Sequence, residues 1–211
     1  MNMSDVVRCY FSFRSPYSWL AIYRISRIKD QLPVRFEFVP CFPPGNSEKF
    51  SRKDLNKASY ISKDVRRFTE AYGLELNWPE PFDTEWIPPH AAYLYAEEQG
   101  RGVDFANAAY TVRFSKGLDI GREDNLRVIA AECGLDPDHL IRCANDENYR
   151  QRVLEGMAQS RRDRMFGVPF FIYNGQTYWG NDRVEWLIRD IYRDLKRPVP
   201  DLAEDPMARP Y

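Results

Sequence analysis

No Cys-x-x-Cys pair occurs in this sequence. Its four cysteines, Cys9, Cys41, Cys133 and Cys143, are scattered along the chain. That spacing suggests neither a dithiol redox centre nor a zinc site, and all four read as small buried hydrophobes. Histidine is scarcer still. His90 and His139 stand alone, which excludes a histidine-rich metal site. Charge of one sign is also missing: thirty basic residues face thirty-one acidic ones, so no general electrostatic footprint for nucleic acid or an anionic membrane exists. No apolar run approaches a membrane-spanning length, and Gly100-Arg101-Gly102 lacks the third glycine of a dinucleotide fingerprint. Residues Met1 to Asp5 are followed by a strand-like run, with no apolar leader core, and the expected compartment is the reducing cytoplasm. What is plentiful is apolar and aromatic material, 44% and 15% of the chain, enough for a sizeable core.

The opening reads as a β-α-β unit. Val6–Phe13 is rich in β-branched and aromatic residues, as strands are. Arg14-Ser15-Pro16 then starts a helix: serine caps free amides, and proline needs no amide at the first helical position. Trp19, Ile22, Ile25 and Ile28 form one apolar stripe, Leu32-Pro33 ends the helix, and Val34–Val39 alternates as a second strand. A loop-like stretch follows from Pro40 to about Lys57. The patterning then predicts helices at Lys57–Tyr72, Ala91–Gln99, Val103–Lys116 and Glu123–Cys133, another from Asp136-Pro137, and one over Asn148–Met165. Strand character returns at Val168–Tyr173, with Asn174-Gly175 as a hairpin turn into Gln176–Trp179. A last helix carries Val184, Leu187, Ile188, Ile191 and Leu195 on one face. The fold class is therefore α/β, a thioredoxin-like β-α-β … β-β-α order with a large all-helical insertion. Its parts are residues 1–52 and 166–197 for the sheet domain, 53–165 for the insertion, and 198–211 for a proline-rich surface tail.

Three places suit chemistry. Ser15-Pro16-Tyr17-Ser18 lies at a strand end and a helix start, where free amides and the helix dipole stabilise anions. Ser15 reads equally as a plain N-cap. Val168-Pro169 opens the late strand, and a cis bond there would turn the Val168 backbone toward that helix start. Trp179-Gly180-Asn181-Asp182 precedes the last helix, where Asn181 and Asp182 also fit as capping residues.

Phe11-Ser-Phe-Arg-Ser15-Pro-Tyr-Ser-Trp-Leu20, Phe166-Gly-Val-Pro169 and Trp179-Gly-Asn-Asp-Arg183, in this order, resemble the signatures of 2-hydroxychromene-2-carboxylate isomerases. These belong with kappa-class glutathione transferases in the DsbA-like branch of the thioredoxin fold. Tyr60-x3-Asp64-x2-Arg67 with Tyr72-Gly-Leu74 is a weaker match. The resemblance implies glutathione as cofactor. Ser15 would hydrogen-bond its sulfur and help hold it as the thiolate, Val168 would pair with the cysteinyl backbone, and Trp179, Gly180, Asn181 and Asp182 would hold the γ-glutamyl end. It also implies a small-molecule substrate, and a homodimer built on the helical insertion, as in relatives. The loop after the second strand, where the family has a lysine, reads Cys41-Phe42-Pro43-Pro44-Gly45; Lys49 and Arg52 are the cations nearby, and Arg52 falls near an expected substrate contact. Trp86-Ile87-Pro88-Pro89 stands where the family is more polar. Isomerase, transferase and non-catalytic binding module are the readings that follow; a disulfide oxidoreductase needs thiols that Ser15 and Ser18 do not have.

Overall fold

A computed structural model describes residues 6–42, 55–202 and 204–206 of the chain. Over these the chain divides into two compact units. One runs to Cys41 and resumes at Leu154; the other is Phe42–Val153. The sequence pattern puts the boundaries later, at 52 and 166. The second boundary differs because one helix, Glu147–Arg162, runs unbroken through the division, so no turn marks it; residue 52 lies outside the described residues.

The first unit holds every strand found among the described residues: β1 (Val6–Phe11), β2 (Arg35–Pro40), β3 (Phe170–Tyr173) and β4 (Gln176–Trp179). Their order across the sheet is β2-β1-β3-β4. β1 and β2 are parallel, joined by helix α1 (Pro16–Ile28) as the crossover. β3 runs antiparallel to β1, with Cys9 opposite Phe171, and β3 and β4 form the hairpin. Asn174 and Gly175 have φ of 47° and 76°, the left-handed pair that a two-residue hairpin turn demands. As the central strand, β1 is buried on both faces at Cys9, Tyr10 and Phe11.

The last part of the Glu147–Arg162 helix, α7 in chain order, also lies in this unit. Gly156 allows it close to β2: an added Cβ would fall 3.1 Å from the Pro40 carbonyl oxygen. Just beyond its end, Asp163 accepts bonds from Tyr10 Oη at 2.5 Å, Arg8 Nη1 at 2.9 Å and Gln159 Nε2 at 3.0 Å. Burial alone would raise that carboxyl's pKa, but the three donors outweigh it and hold the pKa below its ordinary value.

The second unit is helical: α2 (Leu55–Tyr72), α3 (Ile87–Glu98), α4 (Gly102–Tyr110), α5 (Glu123–Glu132), α6 (Pro137–Ala144) and the start of α7. α3 begins four residues before the expected Ala91. Pro88 and Pro89 sit in its first turn, where proline costs no hydrogen bond, rather than breaking the helix. α4 runs into a π-helical turn, Thr111–Ser115, which carries the fully buried Arg113. The Arg113 guanidinium lies 4.8 Å from the centre of the Trp86 ring and donates to the Phe82 carbonyl at 2.6 Å. His90 is buried in the same unit, with Nδ1 at 2.5 Å from the Trp86 carbonyl oxygen. A carbonyl only accepts, so the proton sits on Nδ1.

The last helix, α8 (Val184–Asp194), buries Val184, Leu187, Ile188 and Ile191 as its pattern predicts; Leu195 lies past its end and is exposed. The tail is more than a surface strap, since Leu202 and Asp205 are buried. Among the described residues no helix is long and apolar enough to cross a membrane.

Candidate active site

The site begins where β1 hands over to α1. The Ser15 amide donates to the Ser12 carbonyl at 3.0 Å, closing a tight turn before Pro16. Ser15 is in extended conformation, and its Oγ accepts from the Ser18 amide at 3.2 Å, so it is the N-cap the sequence suggests. Ser18, fully buried, turns its own Oγ back to the Ser12 amide at 3.4 Å. The two serines thus tie the turn to the start of α1. Ser15 Oγ then donates to the Val168 carbonyl at 3.3 Å, 153 residues away in sequence.

The Val168-Pro169 peptide is cis, as expected, with β3 starting one residue later at Phe170. The Pro169 carbonyl accepts from the Gly180 amide at 3.0 Å, which joins the third motif to the second. Gly180 has φ 114° and ψ 159°, a region that essentially only glycine enters. An added Cβ there would lie 2.5 Å from Asp182 Oδ1. This twist sends the chain into a short 3-10 turn, Asn181–Arg183, ahead of α8. Asn181 is buried, while Asp182 is half-exposed and pairs with its neighbour Arg183 at 2.7 Å. Trp179 is 55% exposed and packs edge-on against Phe166, ring centres 5.0 Å apart. Gly167 makes room for it, since an added Cβ would fall 2.6 Å from the indole Nε1.

Ser15 and Val168 are therefore in direct contact, and Gly180, Asn181 and Asp182 follow through the Pro169 bond. Trp179 belongs to an aromatic ledge beside Gly167. Lys49 and Arg52 lie outside the described residues.

Two residues escaped the sequence reading. Arg24 of α1 is 2% exposed at its side chain and Asp205 of the tail 7%; they form a bidentate pair at 2.9 and 2.7 Å. Arg24 Nη1 also donates to the Asn181 carbonyl at 2.9 Å. A signal did exist for Arg24: it lies four residues from both Leu20 and Ile28, within the buried side of α1.

The protein's own thiols are poor nucleophiles. All four cysteines are buried, and desolvation pushes Cys41 up to about 12 and Cys9 well above its ordinary value. A thiol so shifted carries almost no nucleophilic thiolate. The polar groups gathered here are a hydroxyl at a helix start, a peptide carbonyl and a carboxylate. That set offers a donor to an anion at the helix start, an acceptor to an N–H and a carboxylate to a cation.

A family model described as the DSBA-like thioredoxin domain matches residues 6–191. The 2-hydroxychromene-2-carboxylate isomerase of Sphingobium xenophagum is 28% identical over 192 residues, covering 88% of this chain and 97% of its own. Glutathione S-transferase kappa 1 of Rattus norvegicus is 22% identical over 213 residues, 92% of this chain and 94% of its own. The solved structure of a 2-hydroxychromene-2-carboxylate isomerase superposes with a TM-score of 0.79 at 21% identity, covering 90% of this chain and 96% of that one.

Proposed function

Because the chain belongs to the DsbA-like thioredoxin family yet carries serine at both ends of its Ser15-Pro16-Tyr17-Ser18 turn, we propose that it is a glutathione-dependent isomerase of an aromatic or conjugated carbonyl compound. The observation that carries this reading is the Ser15 hydroxyl, poised between the Ser18 amide and the Val168 carbonyl. It is a donor at a helix start, where an anion is favoured.

Bound there, glutathione would supply a thiolate nucleophile for reversible addition to a conjugated carbonyl compound. Ser15 would turn its O–H from the Val168 carbonyl to the sulfur, keeping the Ser18 amide on a second lone pair. The Val168 carbonyl is then free to accept the cysteinyl N–H. Both groups would stay hydrogen-bonded, so neither half-buried group would be left without a partner. Asp182, held half-exposed, takes the γ-glutamyl ammonium, with Trp179, Gly180 and Asn181 shaping its surroundings.

The similarity to a kappa-class transferase favours a second reading, in which the adduct itself is released. One experiment separates the two: incubate the protein with glutathione and conjugated carbonyl compounds, and weigh the products. An isomer of unchanged mass, formed only with glutathione, is the expected result. A product heavier by glutathione supports the transferase, and no glutathione binding defeats both.

A further inference from the structure

We propose that Arg24 and Asp205 position the Asn181-Asp182 turn for the γ-glutamyl end of glutathione, an inference that rests on the glutathione reading above. The guanidinium is a rigid fork. Its Nε and Nη2 take the two Asp205 carboxylate oxygens, at 2.9 and 2.7 Å, and this fixes the plane in which Nη1 meets the Asn181 carbonyl at 2.9 Å. That carbonyl belongs to the peptide unit that leads into Asp182.

The start of the turn is thereby held at two successive residues, by the Gly180 amide on Pro169 and by the Asn181 carbonyl on Arg24. Among the described residues, Asp182 itself pairs with Arg183, which moves with the same turn and cannot anchor it. Burying an ion pair adds little net stability, because desolvation offsets the attraction. A pair buried this deeply, with its spare donor on a site residue, is better explained by the geometry it enforces. The tail's carboxylate reaches the site through α1, 181 residues away in sequence.

Arg24→Ala alone would strand the Asp205 charge and threaten the fold. The test therefore uses Arg24→Met/Asp205→Leu, which removes both charges and refills the volume, with Asp205→Asn beside it. Calorimetry compares glutathione with cysteinylglycine, which lacks the γ-glutamyl end. Hydrogen exchange is read in the free protein over residues 180–184. In the double variant the expected result is glutathione weakened by about tenfold, the scale of one charge-assisted bond, with cysteinylglycine within about twofold. Exchange should speed up over 180–184 and stay at parent rates in β1 and β3, with Asp205→Asn shifting the same way by less. Parent exchange rates over 180–184, or an undiminished preference for glutathione over cysteinylglycine, overturn the proposal. If the parent protein does not prefer glutathione, it is the glutathione reading that fails, while the exchange data still decide whether Arg24 holds the turn.

Discussion

At Ser15 one oxygen serves the fold and the proposed chemistry together, and substitution separates the two. Ser15→Ala removes the cap of α1, which costs about 1 kcal/mol of stability, measured by urea unfolding. The same change deletes the donor proposed for the glutathione sulfur. Turnover should fall on the order of a hundredfold, as when a single anion-stabilising donor is lost. The pKa of bound glutathione, followed by thiolate absorbance, should rise. A variant that loses only the stability increment would leave Ser15 as a helix cap and no more. The neighbouring serine tells the same story from the other side. Ser18 is fully buried and bonded to the Ser12 amide, so it supports the turn rather than facing a ligand.

At the scale of elements, the link between β4 and α8 depends on Gly180. Gly180→Ala should destabilise the protein by about 1–3 kcal/mol, the usual cost of a non-glycine residue in such a conformation. It should also weaken glutathione, because Asp182 must move away from the new methyl group. Unaltered affinity, with the stability loss present, would mean that this turn does not touch the ligand. Elements of this kind were legible in the sequence because their signals are local. Ser15-Pro16 marked the start of α1, Asn174-Gly175 the hairpin, and the apolar spacing of Val184 to Ile191 the buried face of α8. The three site motifs were legible too, as short runs of characteristic residues. What stayed hidden was non-local. Pro88 and Pro89 looked like a break, since only the chain direction beyond them shows that they begin α3. Arg24 went unread, because its partner Asp205 is far off in sequence.

Across the whole molecule, buried ionisable groups set how acid affects the fold. In His90, burial first and the nearby Arg113 charge second lower the pKa to about 4, against an opposing bond to the Trp86 carbonyl. The folded pKa lies below the unfolded value of about 6.5, so the unfolded chain takes up the proton first as pH falls. The stabilisation is whole above about pH 6.5 and lost on the way down to about 4, roughly 3 kcal/mol in all. Urea midpoints should therefore drop between about pH 7 and pH 5, and His90→Gln should flatten that slope. A slope unchanged by the substitution would show that His90 is not its source. The sheet order β2-β1-β3-β4 has a consequence for how the molecule comes into being. During synthesis, β1, α1 and β2 leave the ribosome early, but the partner for the other edge of β1 arrives only after the whole helical block. Until then Ser15 has no Val168 carbonyl opposite it, and α1 has no Asp205 for Arg24. Domains tend to fold as units while the chain is still being made, so the helices have time to pack first. The candidate site is thus the last thing to exist: a chain stalled just before residue 168 contains every helix of the described residues but α8, and lacks the Val168, Gly180 and Asp205 groups.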